Sequence, residues 1–448
     1  MARHVVFNML PRSACQAARL RRRAPRALFS SSSSDVPPAK PLSGFRVLEL
    51  GHMIAGPFCG TILGYFGAEV IKIEPPGGDQ LRKLRLLETP GGDSLWWRSL
   101  GRNKQSVVMD LKSDEGKAMI LELAKSTDVL IENFKPGTIE RWGLGPKELA
   151  AVNPRLVLVR LSGYGQTGPL SQKPGYASVC EAFGGFRHIN AYPDDGKPPV
   201  RPNISLGDTL AGLHGALGAT LALLARERGG GGSADGLSEV VDVAIYEAVY
   251  NLMESVVPEY DYSGAIRQPS GSTLTGVVPT NTYLCGDGKY VVIGGNGDSI
   301  FKRLMVACGR PDMAEDPRLE HNPGRVTHQT EIDEAIGAFT ATLPYKDVCA
   351  ALDAASVPGG PIYAVDDMFA DEHYNARGMF EDVITVGGKP LKLPALCPKL
   401  EVGHGETREA GPELGQHTRS VLGRVLKLSP ERIDELAREG VVGVADVK

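Results

Sequence analysis

Two short runs that read as strands, 45–50 (FRVLEL) and 68–74 (AEVIKIE), flank a helix-length stretch of small and apolar residues, 57–66. A strand, a helix and a second strand so close together form a β-α-β unit, which makes the two strands parallel neighbours joined by a right-handed crossover. The alternation continues with a predicted strand over 106–111, a helix over 113–125, a strand over 128–133, short helices up to Val152 and a strand over 155–161. Repeated strand–helix alternation predicts an α/β fold with a large, doubly wound parallel sheet.

The next part reads differently. Residues 163–203 hold much Gly, Pro and Tyr and little periodicity, which predicts long loops around one short helix, 176–183. Loops of that length inside a compact domain commonly carry function. An apolar helix is predicted over 209–226, with Gly212, Gly215 and Gly218 at every third position. Helical glycine costs up to ~1 kcal/mol relative to alanine, so three of them imply a shallow face for close backbone packing. Residues 229–232 read as a surface loop, 240–245 as a strand and 246–256 as a helix. Beyond them, Gly286-Asp287-Gly288 between two alternating runs signals a hairpin, followed by helices over 300–308 and 331–342. This predicts a second, smaller α+β domain. The expected division is a large domain over 42–257, a small domain over 258–355, and a linker with a C-terminal return to the large domain over 356–448, carrying a helix over 430–439.

The 54 Gly and 32 Pro among 448 residues show no period, which excludes a collagen-like chain, and no uninterrupted apolar run reaches the ~18 residues of a membrane span. Residues 1–34 contain seven Arg and no acid. Without those seven charges the formal −4 becomes about −11, so the body offers no basic stripe to nucleic acid. The Arg- and Ser-rich, acid-free leader has the composition of an organelle transit peptide; mitochondrial import to the matrix is expected, with cleavage near residues 29–34. The seven Cys show no Cys-x-x-Cys pair and the nine His no His-Glu-x-x-His, so the cysteines are expected to be small buried hydrophobes and no metal is expected.

Three places invite chemistry. The turn Gly51-His52-Met53-Ile54-Ala55-Gly56-Pro57 follows a strand and opens a helix, where backbone amides bind phosphate well, although the spacing departs from Gly-x-Gly-x-x-Gly. A tight turn ahead of a packed helix explains it equally. Asp208, in Ser205-Leu206-Gly207-Asp208, reads first as a helix cap. It is also a carboxylate able to act as a nucleophile without a base, with Gly207 leaving room for substrate. Asn103, Lys112, Asn133, Phe134, Lys135 and Arg141 fall at or after the ends of successive predicted strands, where ligands of open α/β sheets bind. Arg201 and the loop 269–276 are further candidates for an acceptor carboxylate.

Taken together, VLELGHMIAGPFCGTILGYFGAEVIKIEPPGGD (47–79), GRNKQSVVMDLKSDEG (101–116), DVLIENFKPGTIERWGL (128–144), LSGYGQTGP (161–169), SLGDTLAGLHGALG (205–218) and VVDVAIYEAV (240–249) resemble the class III CoA-transferases, the family of formyl-CoA transferase, carnitine CoA-transferase and α-methylacyl-CoA racemase. The resemblance runs from about residue 42 to 442 and is strongest to dicarboxylate enzymes of the succinate–hydroxymethylglutarate CoA-transferase kind. It implies an interlocked homodimer and a CoA thioester used as substrate, with no permanently bound cofactor. It implies Asp208 as the nucleophile that passes through covalent aspartyl intermediates, and CoA contacts at His52, Met53, Ala55, Lys112, Asn133, Phe134 and Arg141. Two positions depart from the family pattern. Ile54 replaces a frequent Gln. Tyr176 and Ala177 stand where racemases carry a His-Asp pair, which removes the base an α-proton abstraction needs. Glu181, one turn on, is the nearest acid to replace the one missing at Ala177. The readings that stay open are a CoA-transferase acting on succinyl-CoA and a dicarboxylate, an acyl-CoA racemase or isomerase, and a non-catalytic CoA-binding homologue.

Overall fold

The computed structural model describes residues 39–193, 196–229 and 239–445. The leader 1–34 and residues 230–232 of the loop expected at 229–232 lie outside the described residues.

The main sheet is built from β1 (Arg46–Glu49), β2 (Glu69–Glu74), β3 (Lys104–Met109), β4 (Val129–Glu132), β5 (Val157–Ser162) and β6 (Glu239–Ala244). Two hairpin-type sheets contribute β7 (Thr280–Leu284), β8 (Tyr290–Gly294), β9 (Gly359–Pro361), β10 (Phe380–Ile384) and β11 (Pro390–Pro394), and the final strand is β12 (Val442–Gly443). The main sheet runs β12-β3-β2-β1-β4-β5-β6, parallel throughout except for β12, which pairs antiparallel with β3. The order 3-2-1-4-5-6 is that of the doubly wound dinucleotide-binding sheets, whose strand order reverses between β1 and β4.

Period-two alternation sends neighbouring residues of each strand to opposite faces. Val47, Val70, Val129, Ile131, Val157 and Val159 join one core with the helices Ala55–Tyr65 and Leu206–Glu227. Leu48, Ile71, Ile73, Leu130 and Leu158 join the other core, under the helices Asp114–Ala124, Thr418–Val425 and Pro430–Arg438. Both faces are therefore covered, which is why the strands read as near-continuous apolar runs. The glycine-spaced helix behaves as expected. A Cβ at Gly212 would stand 2.8 Å from the Ala55 carbonyl oxygen, and one at Gly218 would stand 2.4 Å from Val241 Cγ1. That helix is long and apolar enough by length and composition to cross a membrane, yet its glycine face packs against the sheet and its partner helix.

Several boundaries differ from the sequence reading. The long helix starts at Leu206, with Ser205 at the N-cap position but making no side-chain capping bond, so Asp208 sits in the first turn and caps nothing. The helix expected over 246–256 is two helices, Ile245–Tyr250 and Val256–Ser263, separated by a turn in which Glu254 takes a left-handed φ of 46°. The loop region 163–203 holds two helical pieces, Ala177–Phe183 and Phe186–Ile189, with Gly185 at φ 90° between them.

The smaller sheet β7-β8-β9 is antiparallel, with its own core around Val291, Ile293, Phe301, Leu304, Ile336 and Leu352. β9 lies beyond residue 355 and still belongs to this sheet, pairing Gly359–Pro361 with β8. The β10–β11 hairpin was not foreseen. Cys59, Cys180 and Cys285 are buried as small hydrophobes, whereas Cys397 is exposed.

Candidate functional site

A cavity of about 300 Å³ opens beyond the carboxyl ends of β1, β4 and β5, at the place where the strand order reverses. Its wall includes His52, Met53, Ile54 and Ala55 from the turn after β1, Asn133 and Phe134 after β4, Ser162 and Gly163 at the end of β5, and Asp208. Its lining runs from His52 to Ile245, 193 positions apart, and the segments after β1, β4 and β5 converge there because parallel strands all end on the same edge.

The turn after β1 is held from three sides. Asn133 Oδ1 accepts the His52 backbone N–H at 2.7 Å, and Asn133 Nδ2 donates to the His52 carbonyl at 2.8 Å. Asp79 accepts the Met53 N–H at 3.1 Å, which supports Met53 in its left-handed φ of 65°. Lys72 donates to the Gly51 carbonyl. Gly51 and Gly56 leave the space Asn133 needs; a Cβ on Gly51 would stand 2.9 Å from Asn133 Oδ1.

Beneath this turn lies a neutral cluster of three acids and three bases, Glu49, Glu74, Asp79, Lys72, Arg82 and Lys104, all almost fully buried. Lys72 Nζ lies 3.0 Å from Asp79 and 3.2 Å from Glu49, and Lys104 Nζ lies 2.8 Å from Glu49. Arg82 holds Glu74 with two bonds of 2.7 and 2.8 Å. The Glu49 contacts are ionic, since neither of its oxygens accepts a well-directed hydrogen bond. Burial pushes Lys72 down, but Asp79, Glu49 and Glu74 outweigh it and raise its pKa, so it stays charged. The imidazole of His52 is different. Burial and then the Lys72 charge lower its pKa to about 4, so it is neutral at pH 7 and offers hydrogen bonding, not charge.

Phe134 is placed by Glu132, which accepts its N–H at 2.7 Å while Arg160 holds the other carboxylate oxygen at 2.7 Å. Its ring meets His52 edge-on at 5.4 Å and Trp142 at 5.0 Å. Lys135 and Lys173, both exposed, bring positive charge to the cavity wall.

Asp208 is half-buried in the first turn of its helix. Burial first, then the Glu181 charge, raise its pKa from 3.8 to about 6, with Arg201 acting in the opposite direction. It is still largely ionised at pH 7 and above. Glu181 is fully buried; it accepts the Gly207 N–H at 3.1 Å and the Arg201 Nε–H at 3.0 Å. Gly207 therefore serves packing, not substrate access. A Cβ there would stand 3.0 Å from Ile245 Cγ2 and 3.4 Å from Glu181 Cγ.

Of the residues expected to meet a ligand, His52, Met53, Ala55, Asn133, Phe134 and Asp208 share this cavity. Lys112 and Arg141 do not line it; both are exposed, and Arg141 donates to Thr138 Oγ1 at 2.9 Å. Asn103 is structural: its side chain donates to the Glu406 carbonyl at 2.8 Å and accepts the Arg408 N–H at 2.8 Å, tying down the C-terminal return. The loop 269–276 docks through the Gly271 N–H onto the Ala191 carbonyl at 3.0 Å. The buried charge cluster was missed, although Glu49, Lys72 and Glu74 stand out as charges inside apolar strands that both faces bury.

The family described as CoA-transferase family III matches residues 42–418. The succinyl-CoA–D-citramalate CoA-transferase of Chloroflexus aurantiacus is 44% identical over 411 residues, covering 92% of this chain and 100% of that protein. The succinyl-CoA:glutarate CoA-transferase of Mus musculus is 32% identical over 424 residues, covering 93% of each. The crystal structure of a CAIB/BAIF family protein from Brucella suis superposes with a TM-score of 0.75 at 28% identity, covering 86% of this chain and 100% of that one.

Proposed function

This chain belongs to CoA-transferase family III, and we propose that it moves CoA from succinyl-CoA to a free dicarboxylate through covalent intermediates on Asp208. That it is an acyl-CoA:carboxylate CoA-transferase, with the CoA thioester as substrate, follows from the family and its named relatives. The relatives whose names specify succinyl-CoA and a dicarboxylate support the narrower substrate pair.

The observation that carries the covalent step is the position of Asp208 in the wall of the switch-point cavity, which the turn 52–55 also lines, free of any capping duty. The Asp208 carboxylate attacks the thioester carbonyl and expels CoA thiolate, leaving a mixed anhydride. The thiolate attacks the aspartyl carbonyl, forms an aspartyl-CoA thioester and releases the donor acid. The acceptor carboxylate then attacks that thioester, expelling thiolate, and the thiolate returns to the acceptor acyl carbon, regenerating Asp208. Each step exchanges one activated acyl bond for another, so no external energy source is needed. The raised pKa suits the role, since a more basic carboxylate is a better nucleophile while remaining ionised near neutrality. The positive end of helix Ala55–Tyr65 opens on the same cavity with no acid in its first turn, so it favours the anions that develop there. Lys135 and Lys173 add charge for CoA phosphates, and Lys112 and Arg141 are left to a part of CoA outside the cavity.

The test is hydroxylamine or borohydride trapping of the acyl-enzyme on Asp208, with Asp208→Ala as partner. Transfer should fall by at least a thousandfold and the trapped adduct should vanish. Undiminished transfer in Asp208→Ala would refute the covalent route. Exchange of the acyl α-hydrogen with heavy water would favour a racemase instead, against which stand Tyr176, largely exposed, and Ala177 at the positions where an acid–base pair is needed.

Two further parts of the reading are proposed. Leu213, Leu217, Leu221 and Leu224 form an exposed stripe along the long helix, which a second copy would cover in a homodimer; sedimentation of the purified chain at twice the monomer mass is the expected result. The Arg-rich, acid-free leader supports import into the mitochondrial matrix; residues 1–34 fused to a fluorescent protein should direct it there.

A further inference from the structure

Glu181 is a fully buried carboxylate, and such a group persists only when its oxygens are partnered. Its two partners differ in kind. Oε1 takes the backbone N–H of Gly207, the residue before Asp208, and Oε2 takes Nε–H of Arg201. One side chain thus ties down both the turn that carries the nucleophile and a cation. Gly207 has no Cβ, and the carboxylate approaches the turn through that space.

Arg201 is committed to Glu181 through Nε alone. Its terminal nitrogens make no hydrogen bond to any described residue, and its side chain is 38% exposed. A guanidinium offers a planar fork of donors that suits a carboxylate in two-point contact. Because Glu181 accepts from both Arg201 and Gly207, the guanidinium is held beside the turn whose next residue is Asp208, although Arg201 does not line the cavity wall itself.

We propose that Arg201 receives the distal carboxylate of a dicarboxylic acyl group, and that Glu181 is the positioning residue that fixes the span between that cation and the Asp208 carboxylate. This inference rests on Asp208 being the nucleophile. One carboxyl of the substrate reacts at Asp208 while the other pairs with Arg201, so the pair selects for a second carboxylate at a set distance. A monocarboxylic acid of equal length leaves the cation facing a methyl group and gains nothing from it.

The experiment compares kcat/KM for matched acceptors, succinate against butyrate and glutarate against valerate, with saturating succinyl-CoA. The wild-type enzyme should prefer the dicarboxylate of each pair. Arg201→Met should cut that preference by about 10- to 100-fold, chiefly through the acceptor KM, the loss expected for a charge-assisted contact. Arg201→Lys, which keeps the charge but loses the fork, should fall between. Glu181→Gln should weaken the discrimination between succinate and glutarate. An unchanged dicarboxylate preference in Arg201→Met and Arg201→Lys, an equal loss on both members of each pair, or a wild type without preference would overturn the proposal. Trapping on Asp208 in the same preparations separates the two ideas. An intact adduct with an unmoved preference refutes the Arg201 assignment alone, whereas a missing adduct in active wild-type enzyme refutes the nucleophile as well.

Discussion

Replacing Asp208 by Asn should cost the enzyme its activity and leave the fold more stable. The site holds this carboxyl at about 6 instead of 3.8, because burial and the neighbouring Glu181 both disfavour its charge. At about 1.36 kcal/mol per pH unit, ionising it in the folded chain costs about 3 kcal/mol more than in the unfolded chain. The side chain is only half-buried, so solvent screening reduces this to about 1–2 kcal/mol. The sign follows from linkage. The folded state prefers the protonated form, so the penalty is absent below pH 3.8, grows between 3.8 and 6, and is complete above 6. Asparagine is isosteric and never ionises. Urea denaturation at pH 4.5 and 7.5 should therefore show Asp208→Asn more stable than wild type, with most of the gain appearing between the two pH values. An equal gain at both would trace it to packing, and no gain at pH 7.5 would refute the strained-carboxylate account altogether.

Other expectations concern the same wall. Asn133→Ala removes both bonds to the His52 backbone and should raise KM for acyl-CoA by about tenfold with the fold retained, read by steady-state kinetics. Gly60→Ala, which in an ordinary helix stabilises by up to ~1 kcal/mol, should here destabilise by about 2–4 kcal/mol in urea, because its Cβ would stand 1.9 Å from Glu49 Oε2. Glu181→Gln removes a negative charge that lifts Asp208 and leaves Arg201 unpaired beside it; both effects lower the Asp208 pKa, so the acid limb of the rate profile should move to lower pH by about one unit.

The sheet was legible because both of its faces are buried. Apolar runs such as AEVIKIE and DVLIE have few other ways to fold, and the strands found at Glu69–Glu74 and Val129–Glu132 fall within the expected ones. The glycine-spaced helix was legible for a related reason, since three glycines at helical spacing make sense only against a close neighbour, here Ala55, Leu161 and Val241. Small shifts such as the start of helix Leu206–Glu227 were beyond local reading. Ser, Gly and Asp all suit a helix start, and beginning the helix at Leu206 puts Asp208 in its first turn, where its side chain lines the cavity.

The chemical state of the site was less legible than its position, because each charge there is set by a partner distant in sequence. His52 reads only as a CoA contact until burial, and then Lys72 beneath it, show that its imidazole is neutral. Asp208 looks like an ordinary carboxylate until Glu181 is found against the same turn. Asn103 looks like a ligand at a strand end until the C-terminal return closes over it. The buried cluster of Glu49, Lys72, Asp79, Lys104, Glu74 and Arg82 shows what such distance achieves. Replacing all six by apolar groups need not weaken the core, since buried ion pairs break roughly even with hydrophobic packing. No apolar set, however, would supply a donor for the Gly51 carbonyl and an acceptor for the Met53 amide at once, and these fix the turn that faces Asp208. The cluster is therefore better explained by the geometry of the turn than by the stability of the fold.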